Sequence, residues 1–212
     1  MSSGNLYVSG EEKFGFITSH FYGISRLIPT MNRFYNFVIS DILKREFSSI
    51  LDIGSGTGHI LISAALKRND FFGIGIDPST YMVDIANRGA SRHRIDQRIR
   101  FGLGSSRYIP GEMKFDLIYS SLSFHHWSDR EGSLELIMRR LNPTGLLVIY
   151  EITDNGGLNR KFVKSHLMNA DAFRDISGKT KVSVREITEK DDFISAAFQY
   201  TGNNHMPPPD TT

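Results

Sequence analysis

A turn built from three glycines is the feature of this chain whose residue types and spacing come closest to chemistry. It lies in the run LDIGSGTGH, where Gly54, Gly56 and Gly58 alternate with small polar residues. Glycine has no Cβ, so the backbone can bend sharply there and approach a ligand closely. A helix beginning after the turn would direct free N–H groups and the positive end of its dipole at it. The spacing therefore predicts a binding site for a ligand with an anionic or carbonyl-rich part.

The spacing of these glycines separates two kinds of nucleotide-binding turn. Dinucleotide-binding proteins carry G-x-G-x-x-G, whose third glycine lets the helix pack closely on the strand. Here His59 occupies the position of that third glycine, and Asp52 stands two residues before the first one. The run resembles the first motif, acidic-x-Gly-x-Gly-x-Gly, of the class I S-adenosylmethionine-dependent methyltransferases. The resemblance implies that the turn holds the methionine part of this cofactor through Asp52, Gly54, Ser55, Gly56 and Gly58.

A carboxylate, Asp77, follows the second predicted strand. Ligands of doubly wound sheets bind beyond the carboxyl ends of the strands, where the strand order reverses. A carboxylate there can accept hydrogen bonds from both hydroxyls of a ribose. The alternative is that it caps the next helix or starts a turn before Pro78. Pro78 and Met82 are assigned to the same cofactor site, with Met82 against the adenine ring or, alternatively, in the core.

Serines follow the third and fourth predicted strands. The related methyltransferases usually carry Gly-Asp-Ala after the third strand, where the aspartate binds the adenine amino group. This chain has Ser105 in the position of that aspartate, and a hydroxyl accepts a hydrogen bond more weakly and without charge. Ser105 and Ser106 are assigned to the adenine edge. The backbone around Ser120 and Ser121 is assigned to the methyl group.

Two histidines, His125 and His126, come shortly after the fourth predicted strand and precede Trp127. This run resembles the stretch ending in His-His-Trp of small-molecule methyltransferases of the ubiquinone and menaquinone type. An imidazole titrates near neutral pH, so either histidine is a candidate general base beside the methyl group. The alternative is that both pack with Trp127 and orient the loop.

Apolar runs and helical patterns alternate along most of the chain. Strands are predicted at Ile50–Ile53, Phe71–Ile76, Ile99–Leu103, Phe115–Tyr119, Leu146–Tyr150, Lys181–Ile187 and Phe193–Tyr200. Helices are predicted after Pro29 and at Ile60–Lys67, Ser79–Asn87, Leu134–Leu141 and Leu158–Phe173. The alternation predicts an α/β fold with a parallel sheet covered on both faces. With the resemblance it implies a doubly wound, seven-stranded, mostly parallel, Rossmann-like sheet that ends in an antiparallel C-terminal hairpin strand.

Three segments are predicted. Residues 1–47 form an N-terminal helical lid or cap, residues 48–201 the methyltransferase domain, and residues 202–212 a disordered tail. The helix after Pro29 carries an apolar stripe at Leu27, Met31, Phe34, Val38 and Ile42, which is assigned to core packing. Tyr22 or Arg26, before that helix, is expected to close over the cofactor carboxylate and the substrate.

Composition narrows the class of protein. A chain of 212 residues with 40% hydrophobic residues is ordinary for one globular domain. The formal net charge of +2 creates no strong field for a nucleic acid or a membrane. The absence of cysteine excludes disulfides and thiolate nucleophiles. No signal peptide or membrane-spanning run is predicted, so we expect a cytoplasmic location.

The sequence predicts a methyltransferase that uses S-adenosylmethionine, acts on a small molecule and holds no metal. One alternative is a nucleic-acid methyltransferase that uses a basic cluster. That cluster comprises Arg88, Arg92, His93, Arg94, Arg98 and Arg100, and we interpret it as a solvated helix end. Another alternative is a nicotinamide-dependent oxidoreductase, which the position of His59 disfavours. The oligomeric state is not predicted.

Overall fold

The computed structural model describes residues 28–153 and 167–200. The predicted closing residues Tyr22 and Arg26 and the predicted tail lie outside them. The helices of the described part are α1 Ile28–Lys44, α2 His59–Lys67, α3 Thr80–Arg92, α4 Arg130–Met138 and α5 Ala170–Lys179. Its strands are β1 Ser49–Ile53, β2 Phe72–Asp77, β3 Ile99–Leu103, β4 Phe115–Ser121, β5 Leu141–Thr153, β6 Leu167–Met168, β7 Val182–Lys190 and β8 Phe193–Tyr200. A single 3-10 turn spans Phe124–His126.

The strands join in one sheet with the order β3-β2-β1-β4-β5-β8-β7. Strands β1 to β5 run parallel to one another, and β8 runs antiparallel between β5 and β7. The predicted fold class is therefore confirmed. The two-residue β6, which pairs with β5 past the register of β4, is an addition that the sequence did not predict. The strand order reverses between β1 and β4, which places the expected ligand cleft at their carboxyl ends.

Helices cover both faces of this sheet. Adjacent residues of β1 point to opposite faces, so Ile50 joins the core under α1, α2 and α3, and Leu51 joins the core under α4 and α5. Phe34, Val38 and Ile42 of α1 are fully buried in the first of these cores. Core packing of the predicted stripe is therefore confirmed for these three residues.

Three helix predictions were wrong in their bounds. The helix predicted at 79–87 continues to Arg92. The helix predicted at 134–141 begins earlier, because Asp129 caps it by accepting the N–H of Gly132 at 2.9 Å. It ends at Met138, and β5 already begins at Leu141. Within the described part of the helix predicted at 158–173, β6 comes first. Asn169 then caps α5 by accepting an N–H at 2.9 Å, so the helix starts at 170.

Candidate active site

The glycine turn connects β1 to α2 with three left-handed backbone conformations. The φ angles of Gly54, Gly56 and Gly58 are 75°, 52° and 74°, a region that side chains with a Cβ rarely adopt. A Cβ on Gly54 would lie 2.3 Å from the Ser123 hydroxyl, and one on Gly58 would lie 2.5 Å from the Phe101 ring. A Cβ on Gly56 would meet nothing within 4 Å. The first and third glycines thus permit packing, and the middle one borders open space.

The N–H groups of the turn are largely used within the protein. Those of Gly54 and Ser55 both donate to the carbonyl of Ile76, at 2.9 and 3.0 Å. That of Gly56 donates to a carboxylate oxygen of Asp77 at 2.9 Å. These bonds tie the turn to the end of β2. A ligand at Gly56 would therefore approach through the open space, and these three amides already have partners.

Asp77 ends β2 and starts the turn at Pro78, whereas Ser79 caps α3. Its Oδ1 accepts the N–H of Ser79 at 2.9 Å, and its Oδ2 accepts that of Gly56. The side chain is buried, and burial raises its pKa against the lowering effect of these two bonds. Each carboxylate oxygen keeps a second lone pair. The predicted contact to a ribose is compatible with this geometry and stays a prediction.

Unpartnered oxygen atoms lie around the turn. Asp52 is buried and accepts the Tyr119 hydroxyl at 2.8 Å through Oδ2. Its Oδ1 and the hydroxyls of Ser55 and Ser120 are buried without a hydrogen-bond partner among the described residues. Burial raises the pKa of Asp52 to about 7; the Tyr119 bond opposes this shift, and the charge of Asp77 adds to it. Such orphan acceptors are the polar atoms that a donor-bearing ligand would satisfy.

The other predicted cofactor residues differ in their burial and in their hydrogen-bond partners. Met82 is buried at the first turn of α3, where Ser79 caps the helix, and Pro78 lies half-buried between Asp77 and that cap. Ser105 is half-buried, and its hydroxyl accepts the N–H of Arg107 at 3.3 Å. The Ser106 hydroxyl is buried and accepts a bond from Ser133 of α4 at 3.2 Å. Because this contact engages the Ser106 hydroxyl with α4, Ser105 is the better candidate of the two for a contact to the cofactor.

A buried hydrogen-bonded pair, His125 and Glu151, lies beyond the end of β4 and in β5. Nδ1 of His125 lies 2.9 Å from Oε2 of Glu151, and the exposed fractions of the two side chains are 6% and 0%. The other oxygen of Glu151 accepts the backbone N–H of His125 at 3.3 Å. The imidazole of His126 lies against that of His125, with ring centroids 4.0 Å apart. Sequence reasoning missed Glu151; its signal was a single acidic residue in the apolar run of β5.

The backbone before the histidines is held in an unusual conformation. Leu122 has a φ of 50°, a left-handed value that is uncommon for a residue with a Cβ. Its N–H donates to the carbonyl of Tyr150 in β5 at 3.0 Å. Ser123 follows and packs on Gly54, while its hydroxyl accepts the Trp127 indole N–H at 3.3 Å. The loop is thus fastened to both the glycine turn and β5. Ser121, the predicted methyl contact just before it, is half-buried.

The basic cluster is divided by the fold. Arg98 is half-buried, and its guanidinium donates to the carbonyls of Ala65 and Arg68 at the end of α2. Arg88 and Arg92 line a surface groove between α2 and α3. The interpretation as a solvated helix end therefore fits Arg92, which is exposed, and not Arg98. No described helix is long and apolar enough to cross a membrane, and no metal-binding cluster is found among the described residues.

The methyltransferase domain family matches residues 44–199 of the chain. The chain belongs to this family. The protein is therefore an enzyme of the methyltransferase class, and the predicted membership of the class I superfamily is confirmed. S-adenosylmethionine, the predicted cofactor, is confirmed at the level of the family.

Individual relatives are distant. A carboxy-S-adenosyl-L-methionine synthase of Staphylococcus epidermidis is 26% identical over 83% of this chain and 75% of its own. A ubiquinone/menaquinone biosynthesis C-methyltransferase of Wigglesworthia glossinidia brevipalpis is 25% identical over 71% of this chain and 64% of its own. A solved structure of a putative S-adenosylmethionine-dependent methyltransferase of Methanococcus maripaludis has a TM-score of 0.73 at 22% identity, over 94% of this chain and all of that one. The structural likeness supports the fold.

Proposed function

We propose that this enzyme transfers the methyl group of S-adenosylmethionine to a small-molecule acceptor by in-line displacement. The observation that carries the proposal is the open space at Gly56, whose N–H is bonded to Asp77, together with the buried oxygens of Asp52, Ser55 and Ser120 that lack partners among the described residues. Packing fixes the turn on both sides, so its uncovered middle residue is the place where a ligand would meet the backbone.

The residues present fit the cofactor. Its ammonium group and its ribose hydroxyls are hydrogen-bond donors, and the site presents acceptors. These are Oδ1 of Asp52, the hydroxyls of Ser55 and Ser120, and the remaining lone pairs of Asp77. A diphosphate would instead need free N–H groups, and those of Gly54, Ser55 and Gly56 are already engaged.

The chain's own residues then have separate tasks. Asp77 would hold the ribose, Met82 and Pro78 the adenine face, and Ser105 the ring edge. Backbone around Ser120 and Ser121 would border the methyl group. The bound cofactor supplies a methyl group on a good leaving group, so the protein must mainly align the acceptor at about 3–3.5 Å and exclude water.

The bonds that Arg98 makes within the protein support a small-molecule acceptor over a nucleic acid. Arg98 is committed to helix carbonyls, and the relative from Wigglesworthia is named for methylation in quinone biosynthesis. A nicotinamide cofactor is disfavoured because the imidazole of His59, in the third-glycine position, packs against Tyr35 at a centroid distance of 4.6 Å. A cytoplasmic location and the closing role of residues 1–47 remain proposals from the sequence.

The proposal is tested in two steps with the full chain. Calorimetric titration with S-adenosylmethionine, S-adenosylhomocysteine and NAD should show binding of the first two only. Methyl-labelled S-adenosylmethionine is then incubated with enzyme and a cell extract, which is separated into low-mass, RNA and protein fractions. Label should enter the low-mass fraction and depend on the enzyme. Tighter binding of NAD, or label in RNA or protein alone, would overturn the proposal.

A further inference from the structure

The connection between β3 and β4 lies directly beside the residue that is predicted to hold the ribose. The N–H of Gly104 donates to the carbonyl of Asp77 at 3.2 Å, so the first residues of the connection are fastened to the end of β2. A Cβ on Gly104 would lie 3.0 Å from the Ile76 side chain, so the two segments approach closely. Ser105 is therefore one residue away from a direct contact to Asp77.

The order of the groups in the cofactor decides which of them reaches Ser105. Asp77 accepts the N–H of Gly56 in the glycine turn through its carboxylate and that of Gly104 through its carbonyl. The methionine part is proposed at the glycine turn, the ribose at Asp77, and the methyl group toward β4, on the other side of β1. The base follows the ribose in the opposite direction. Neighbouring strands are about 4.8 Å apart, so a base one strand beyond the ribose lies at the end of β3.

The polar groups at the end of β3 can both donate and accept. The half-buried hydroxyl of Ser105 accepts the N–H of Arg107 at 3.3 Å and makes no other hydrogen bond to a described residue, so its own proton and a further lone pair are available. The N–H of Ser106 donates to no described residue. The connection contains one acidic residue, Glu112, whose exposed side chain pairs with Arg140 at 3.2 Å. This connection therefore presents a hydroxyl to the base.

We propose that Ser105 makes the site tolerant of the group at position 6 of the purine, so that a 6-oxopurine form of the cofactor binds nearly as well as the adenine form. The inference rests on the proposed function and concerns its cofactor selectivity. Adenine presents an amine that donates beside a ring nitrogen that accepts. Hypoxanthine presents an oxygen that accepts beside a ring N–H that donates. A hydroxyl rotates to serve either pattern, whereas a carboxylate only accepts and would repel the oxygen.

Three variants separate these functions. Ser105→Asp converts the hydroxyl into a group that only accepts. It can keep the bond from the N–H of Arg107, because aspartate and serine side chains form equivalent turns with the backbone two residues on. Ser105→Ala removes both the donor and the acceptor. Asn69→Asp, in the exposed connection before β2, adds the same single negative charge at the opposite edge of the sheet and is the control.

The test is calorimetric titration of the full chain with S-adenosylhomocysteine and with S-inosylhomocysteine, its 6-oxo analogue. The two dissociation constants of the wild type should differ by less than about tenfold, since either base finds a partner. Ser105→Asp should weaken binding of the 6-oxo analogue and widen the ratio by roughly 10–100-fold in favour of S-adenosylhomocysteine. Ser105→Ala should weaken both ligands to a similar degree, and Asn69→Asp should change neither.

Two results would overturn the inference. A wild type that prefers S-adenosylhomocysteine by more than about tenfold would show that a group which only accepts reads the amine. An unchanged ratio in Ser105→Asp, with thermal denaturation showing that the variant is folded, would show that the base does not lie at Ser105. If Ser105→Asp does not fold, Ser105→Ala decides, because unchanged constants for both ligands would reject the contact. Failure of the wild type to bind either ligand would instead contradict the proposed function.

Discussion

Two parts of the candidate site depend on different features of the chain. At the ends of β1 and β2, the backbone conformation itself restricts the residue type, because three φ angles are left-handed. At the ends of β4 and β5, the arrangement depends on a buried pair of side chains, His125 and Glu151. The glycine turn can be recognised in the sequence from the spacing of its residues. The pair cannot, because histidine and glutamate occur in many contexts and only the fold brings these two together.

The contrast also holds within the glycine turn. Gly54 and Gly58 are required by their neighbours, since a Cβ would overlap Ser123 or Phe101. Gly56 is surrounded by space, so only its φ angle and a ligand constrain it. The middle glycine is the position where fold and function can be separated by experiment.

The largest effect is expected from Gly58→Ala. The new Cβ combines a left-handed conformation, at about 1–2 kcal/mol, with overpacking against Phe101, at about 1–3 kcal/mol. Unfolding should therefore require about 2–5 kcal/mol less, and thermal denaturation should show a fall of roughly 2–4 °C per kcal/mol. Gly56→Ala should lower stability only by the cost of the left-handed conformation. It should nevertheless weaken S-adenosylhomocysteine binding more than tenfold.

Gly111→Ala is the control for that comparison. Gly111 has a φ of 71° and, like Gly56, would place a Cβ in open space, but it lies in the connection before β4. It should show the same small loss of stability with an unchanged dissociation constant. If Gly56→Ala binds S-adenosylhomocysteine as tightly as Gly111→Ala does, the open space at the turn is not the ligand site.

Two features of the fold could be predicted from the sequence, because one follows from the periodicity of apolar residues and the other from the backbone conformation that glycine permits. Alternating strands and helices gave the sheet, and the spacing of the glycines gave the turn. Asp77 could be proposed as a ligand contact because ligands of this class of sheet bind beyond the strand ends. The pairing of Glu151 with His125 could not be predicted, because it depends on the packing of a loop in which Leu122 has a left-handed backbone conformation. The bond between Ser106 and Ser133 of α4 could not be predicted, because the sequence does not show which helix lies beside Ser106.

Asp52→Asn should change how stability depends on pH. The folded state holds the proton of Asp52 up to about pH 7, whereas the unfolded chain loses it near pH 4. The folded state binds more protons between these values, so the free energy of unfolding falls as pH rises through this window. Denaturation at pH 5 and pH 8 should show a fall of about 3 kcal/mol in the wild type relative to the variant. Asparagine can still accept the Tyr119 hydroxyl.

Asp116→Asn is the control with the opposite sign. Burial would raise the pKa of Asp116, but hydrogen bonds from Asn142, Ser48 and Ser49 outweigh it and hold the pKa well below its usual range. Its stabilisation is present above about pH 4 and is lost only in more acid solution. The variant should therefore be less stable than the wild type by the same amount at pH 5 and pH 8. Equal pH dependence of Asp52→Asn and the wild type would show that Asp52 ionises normally.

Asp77→Asn tests the residue that joins backbone and ligand. Two N–H donors face its carboxylate, and an amide has only one acceptor oxygen, so its NH₂ group must oppose one donor. The hydrogen bonds that the ribose would lose correspond to about 1–3 kcal/mol, or a rise of roughly 5–150-fold in the dissociation constant for S-adenosylmethionine. Asp84→Asn, on the exposed face of α3, should leave calorimetric binding unchanged. An unchanged constant for Asp77→Asn would reject the ribose assignment.

The smallest effects are expected in the basic cluster, where the same contrast divides neighbouring arginines. Arg98 donates to the carbonyls at the end of α2, so Arg98→Gln should lower the free energy of unfolding by about 1 kcal/mol. Arg92 is exposed, and Arg92→Gln should stay within about 0.5 kcal/mol of the wild type. Neither should alter the dissociation constant for S-adenosylmethionine. Binding of a single-stranded RNA that is steeply salt-dependent and is lost in Arg92→Gln would reverse this ranking. The groove between α2 and α3 would then be a functional surface, and the acceptor would be sought among nucleic acids.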